Sequence, residues 1–348
     1  MAGMKIAIVG AGIQGSLIAF YATNAGFDVT LFDENNPNEP STCSYAAAGL
    51  LTPTAELEKS TADIFQCGID GLNIHWPAIL AALNKPIFFQ KIGSLLVSHP
   101  NDKAELSRFM SNLDSKSSIK HYQALSQEEI IALEPALDKF STGFYFRDEG
   151  QIDNQTLLRE LYLYLLEKKV VYHANTFIET IESIRHDFDY AIDCRGLGGK
   201  EFLPDLRGLR GELIWLHAPE VTITRPVRLA HPRYNLYVAP RPDHVYLIGA
   251  TEIESEDTSS ISVRSALELL SAAYYIHPGF AEARILKTVT HSRPTLPDHL
   301  PCIKYNDKII AVNGLYRHGF LIAPSLAAEV MHFLETGKKK TDSLWETI

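Results

Sequence analysis

Gly10, Gly12 and Gly15 stand in a G-x-G-x-x-G spacing directly after the β-branched run Lys5–Val9. That spacing suits nucleotide chemistry. Gly10 allows a tight turn, Gly12 lets a pyrophosphate approach the backbone, and Gly15 lets the following helix pack closely on the strand. The N–H groups opening that helix then face the phosphates, helped by the helix dipole. A second apolar run, Asp28–Phe32, ends at Asp33 and Glu34, the usual distance for a carboxylate that accepts from a ribose hydroxyl. No arginine follows Asp33 to meet a 2′-phosphate, so an adenosine with a free ribose is expected. The pattern alone leaves NAD and FAD open.

Other chemistries find little support. Cys43, Cys67, Cys194 and Cys302 are isolated, and the 13 histidines form no H-E-x-x-H or comparable cluster. Reduced thiols in a cytoplasmic protein and no metal are expected. The formal net charge of the 348 residues is −10, and basic residues gather only at Lys338-Lys339-Lys340. That run reads as a solvated tail, so nucleic-acid and anionic-membrane binding are disfavoured. No apolar run reaches spanning length and no signal peptide is visible.

The elements that must position these groups follow from periodicity. Helix is expected from the glycine loop to about Ala25, then over 60–84, 102–113, 126–133, 155–168 and 262–275. Strands are expected at 92–98, 170–173 and 189–193, the last running into the turn Gly196–Gly199. From 208 to 251 the pattern is β-rich, and a strand near 284–290 leads to Arg293-Pro294. The turn Gly314–Gly319 is followed by a final helix from about Pro324 to Glu335. Nucleotide-type elements thus occur at the start, middle and end, with insertions between them. This order implies a discontinuous nucleotide domain and a second domain built from the insertions, the ligand lying between.

Five segments together resemble the D-amino acid oxidase and sarcosine oxidase family of flavoproteins, and within it the glycine oxidases of thiamine biosynthesis. They are Gly10–Gly15 with Asp33, then Ser44–Glu56 with its Ala-Ala-Gly-Leu-Leu core, then Arg210-Gly-Glu212 with Leu236–Arg241 and Gly249–Glu252. Ser292–Asp298 and Gly314–Pro324 complete the series. The resemblance implies an α/β plus α+β fold. A discontinuous Rossmann-type FAD-binding domain would span 1–85, 145–206 and 286–348, and a mixed-sheet substrate domain 86–144 and 207–285. It also implies non-covalent FAD, and oxidation by O2 of a small amino acid, glycine first. Glyoxylate, ammonia and hydrogen peroxide would be the products, or iminoglycine would be handed to thiazole synthesis. A homo-oligomer, dimer or tetramer, follows by analogy.

Matching motifs carry the family's roles onto this chain. Ile13 and Gln14 would meet the pyrophosphate with their backbone, and Asp33 and Glu34 would hold the ribose region. Cys43, Ser44, Ala47, Ala48, Gly49 and Leu50 would line the flavin. Ile178, on a strand pair after the 155–168 helix, would present backbone to the adenine, near Cys194 and Gly196. Leu315, Tyr316, Arg317, His318, Gly319, Phe320 and Leu321 would wrap the flavin ring end. Arg293 is the first choice to clamp the substrate carboxylate, assisted by Arg317 and Tyr237 beside Gly49, because guanidinium offers a planar charged fork. The flavin carries the hard chemistry, so no catalytic side chain is required.

The chain also departs from the family's pattern. Glu252 stands where some glycine oxidases have Met, and it would pair with the amine or disfavour a second carboxylate. His318 stands where Asn is common, and Cys194-Arg195-Gly196 replaces a small-residue turn. Sarcosine, other N-alkyl amino acids and D-amino acids therefore remain alternative substrates. An NAD-dependent dehydrogenase and a non-catalytic flavin-binding protein are the rivals from other classes.

Overall fold

The computed structural model describes residues 3–232 and 236–348. Its first sheet has seven strands in the order 345–347, 302–305, 309–313, 190–193, 5–9, 28–32 and 171–173. Lys5–Val9 lies at its heart, parallel to Asp28–Phe32 on one side and to Tyr190–Asp193 on the other. Ile6, Ala7 and Ile8 are fully buried, as expected for a parallel strand covered on both faces. The helices Ile13–Asn24, Asn154–Glu167 and Gly319–Thr336 pack together on one face and share the largest apolar core.

The second sheet has nine strands and is mixed. Its long strand Arg207–His217 pairs antiparallel with Val245–Gly249 and with Arg284–Thr295, the latter closing one edge. Leu236–Arg241, Val227–Ala230 and Ser94–Ser98 continue on the other side. Side chains alternate across these strands. Ile214, Leu216, Val238 and Ile248 face the helix Val263–Ile276, whereas Leu213, Tyr237, Ala239 and Leu247 face Ala48 and the interior of the molecule. The register aligns Arg228, Tyr237, Gly249, Leu213 and Val289 in one row across five strands.

A small third sheet, Leu50–Leu51 with Gly150–Ile152 and Phe89–Gln90, joins the two. Buried Arg241 staples it to the second sheet. Its guanidinium donates to the carbonyls of Ala48 at 2.5 Å and Ile152 at 2.9 Å, and to the Gln151 side chain at 2.6 Å. Gly49 sits inside this staple at φ +63°, where a Cβ would collide with the Ile152 carbonyl.

Two boundaries differ from the sequence reading. The strand at 284 runs on to Thr295, so Arg293 and Pro294 belong to the second sheet rather than to a connection beyond it. The final helix begins at Gly319, not at Pro324. Pro324 has no N–H for the carbonyl four residues earlier, that of Phe320. The Trp76 indole N–H takes that carbonyl instead, at 3.0 Å, and the helix passes through the proline intact. No helix among the described residues is long and apolar enough to cross a membrane.

Candidate active site

The glycine turn is held from three sides. Gly10 adopts φ +100° and donates to the Phe32 carbonyl at 2.8 Å. A Cβ on Gly15 would strike the Gly10 carbonyl oxygen, so Gly15 lets the helix seat under the turn. Asp33 closes the loop by accepting from the N–H of Ala11 at 2.5 Å and of Asn35 at 2.7 Å. Ser44 Oγ accepts from the N–H of Ile13 at 2.9 Å. The Ile13 N–H, expected to face a phosphate, is therefore met by the protein. Gln14 is different. Its side chain is only 6 % exposed, and neither amide atom has a partner.

Every site residue expected from the sequence, Gly15 excepted, lines a single cavity of about 390 Å³. Its walls run from the glycine turn past residues 41–50, 176–179 and 194–198 to 315–321, and the second sheet covers it. Ile178 lies on the loop after Val171–His173, not on a strand, because its carbonyl is drawn to Arg195. Arg195 uses every side of its guanidinium. It forks onto Asp193 at 3.0 and 2.8 Å, and it reaches the carbonyls of Ile178 and Glu179 and the carboxylate of Glu201. Burial pushes the Cys43 thiol up to about 11, against the pull of Arg293, so it stays protonated at neutral pH.

The far end of the cavity carries the charges. Arg293 Nη1 donates to the Thr251 carbonyl at 3.1 Å, and its guanidinium packs over Gly211. Among the described residues it has no carboxylate partner. Tyr237 lies nearby, its phenol pushed to about 12 by burial against the pull of Arg293 and Arg228. Arg317 is engaged differently. Its Nε lies 2.5 Å from Glu56 Oε2, and its Nη1 lies 2.9 Å from Glu252 Oε1. Two carboxylates thus fix its guanidinium at the cavity wall. Glu252 also approaches Lys59 at 3.9 Å and accepts from the Tyr316 hydroxyl at 3.3 Å.

Glu56, given no role from the sequence, is the hub. Its Oε1 lies 3.1 Å from Arg228 Nη2, and its Oε2 lies 3.0 Å from His318 Nδ1. Burial would raise the Glu56 carboxyl, but Arg317, His318 and Arg228 hold it well below the usual range. Burial likewise opposes Arg317, Lys59 and Arg293 at Glu252, and the cations win there too. Arg228 was also missed. Only its place opposite Tyr237, in a strand the periodicity did not mark, brings it to the cavity.

A family profile described as FAD dependent oxidoreductase matches residues 5–332. The chain belongs to the FAD-dependent oxidoreductase family. A putative thiamine biosynthesis oxidoreductase of Rhizobium etli is 35% identical over 334 residues, covering 96% of this chain and 97% of that one. The fold is that of the glycine oxidase of Geobacillus kaustophilus, with TM-score 0.83, 20% identity and 97% of each chain covered. It is equally the fold of an iminodiacetate oxidase from Chelativorans sp. BNC1, with TM-score 0.79, 18% identity and 98% and 99% covered.

The family settles the nucleotide as FAD, and the cavity's residues fit that group. The orphaned Gln14 amide faces the cavity from the opening turn of one long helix. The N-terminal turn of a second, Gly319–Thr336, reaches the same cavity with no side-chain cap on its N–H groups. Two positive helix ends in one space suit a ligand with separated electron-rich groups. The flavoprotein would hold FAD between the glycine turn, the 43–50 segment and the 315–321 turn.

Proposed function

We propose that this flavoprotein oxidises a small amino acid, glycine first, to an imine that hydrolyses to the α-keto acid and ammonia. The first sheet with its helices would hold FAD, non-covalently, and the second sheet would roof the substrate. The observation that carries this reading is Arg293: a guanidinium at the cavity without a carboxylate partner, next to Tyr237. A half-buried guanidinium facing a cavity without a counter-charge suits an anion, and a substrate carboxylate supplies it with a matching planar fork.

The surrounding charges define the substrate further. Glu56 is matched by Arg228, and Glu252 by Arg317, so Arg293 is the one unmatched arginine of this cluster. One carboxylate fits, and Glu252 disfavours a second. Arg293 and the Tyr237 hydroxyl bind and orient the carboxylate, while Leu213 and Ala48 keep the wall apolar and exclude water. FAD, when bound, supplies the acceptor for the hydride leaving Cα. Reoxidation by O2 would give hydrogen peroxide. With glycine the product would be glyoxylate, or iminoglycine passed to thiamine thiazole synthesis, in line with the names of its relatives. A cytoplasmic homo-oligomer completes the reading.

A substrate panel scored by peroxide release tests it. Glycine is expected at the top, with sarcosine and small D-amino acids as the competing arms. Peroxide from none of them overturns the proposal.

A further inference from the structure

The helix Val263–Ile276 carries two apolar faces, and the fold uses one of them. Ser265, Leu269, Ala272, Ala273 and Ile276 are buried on the side that meets the second sheet. On the opposite side Val263, Leu267 and Tyr274 are 78 %, 62 % and 56 % exposed, with half-buried Leu270 between them. These four residues recur at steps of four, three and four, the period of a single helix face. Exposed Ile285 pairs with Leu216, whose side chain faces the same helix, so it stands on that side of the sheet as well. A contiguous apolar stripe of this kind marks an interaction surface, whereas apolar residues exposed singly do not.

Three features fit the stripe to a second copy of the same chain. The first is its spacing. A two-fold interface needs a surface that matches itself when turned round, and steps of four, three and four read the same from either end. An axis between Leu267 and Leu270 sets Val263 against the partner's Tyr274 and Leu267 against the partner's Leu270, in an antiparallel helix pair. The second is charge. Arg264 lies in the first turn of its own helix, where the dipole opposes a cation, and it has no ion-pair partner among the described residues. In the antiparallel pair it reaches the C-terminal end of the partner's helix. The dipole there is negative, and Glu282 follows, exposed and likewise without an ion pair among the described residues. The third is area. Val263, Leu267, Tyr274 and Ile285 together expose roughly 450 Å² of apolar surface per copy, which matches the apolar share of an interface of about 800 Å² per partner.

We propose that the face built on Val263, Leu267, Leu270 and Tyr274 is a two-fold interface between copies of this chain. The helix lies on the side of the second sheet away from Tyr237 and the cavity, so each copy keeps its own site. The interface rests on the homo-oligomer of the functional reading and on nothing of its chemistry, so particle mass and peroxide release fail separately.

Sedimentation velocity of the holoprotein at micromolar concentration tests it. The wild type should sediment as a dimer or a larger even-numbered assembly. Leu267→Glu puts a charge beside the axis and should halve the mass, from dimer to monomer or from tetramer to dimer, while the flavin spectrum is kept. Arg264→Glu should shift the balance toward the smaller species, and adding Glu282→Arg should restore the larger one. A monomeric wild type overturns the proposal, even if the face then takes a membrane or another protein. An assembly that Leu267→Glu leaves whole places the interface elsewhere and overturns it too. Where Leu267→Glu loses FAD, the charge pair decides, and a mass that Arg264→Glu does not change overturns the proposal.

Discussion

Arg317 Nε lies 2.5 Å from Glu56 Oε2, joining the turn before the last long helix to a segment 261 residues earlier in the chain. The same carboxylate reaches Arg228 in the second sheet. One buried anion therefore ties both sheets of the molecule to the charged end of its cavity.

Glu56→Gln keeps the volume and removes the charge. Breaking a buried pair from one side costs about 3–5 kcal/mol. Chemical denaturation of the holoprotein should show a loss of that order. An unchanged midpoint would mean that the network does not support the fold.

Arg293→Ala should keep FAD and raise KM for glycine by about 10-fold or more, since hydrogen bonds to a charged group contribute about 1.5–3 kcal/mol. Arg293→Lys should fall between, because a point charge replaces a fork. Steady-state kinetics check both, and an unchanged KM contradicts the carboxylate assignment.

Gly49→Ala places a Cβ at φ +63° and against the Ile152 carbonyl. Strain of about 1–3 kcal/mol is expected from the backbone alone. The clash also pries at the Arg241 staple, so Tm should drop, and FAD should dissociate more readily. Thermal unfolding with flavin fluorescence reads both.

Much of this was legible in the sequence, and the rest was hidden for physical reasons. The glycine turn, residues 43–50 and residues 315–321 are local patterns, and local patterns survive in one dimension. Glu56 and Arg228 are 172 residues apart, and nothing in either neighbourhood announces the other. Pro324 misled for the same reason: the partner that rescues its helix, Trp76, lies in a distant segment. Arg317 lies at the cavity, but its pairing with Glu56 and Glu252 needed the fold.

Trp76→Phe tests that rescue. It leaves the buried Phe320 carbonyl without its donor, which costs about 1–3 kcal/mol. Because the helix end lines the cavity, FAD affinity should weaken along with Tm, as fluorescence titration of the apoprotein would show.

Glu149 predicts a pH dependence. Burial pushes its carboxyl up to about 7 from 4.5, against the pull of Arg228, Ser94 and the Ala55 N–H. The folded state thus binds more protons than the unfolded between these values. Stability should fall as pH rises through that window and level off above it. Glu149→Gln keeps an acceptor for Ala55 and should flatten the slope, leaving the variant more stable than wild type above the window. Denaturation midpoints across pH check the sign.

Anaerobic mixing of the yellow holoprotein with glycine tests most directly whether a small amino acid, clamped by Arg293, reduces the bound flavin. Complete bleaching of the flavin band is predicted, with a much weaker response in Arg293→Ala. A band that stays unchanged with glycine, sarcosine and small D-amino acids alike would contradict it.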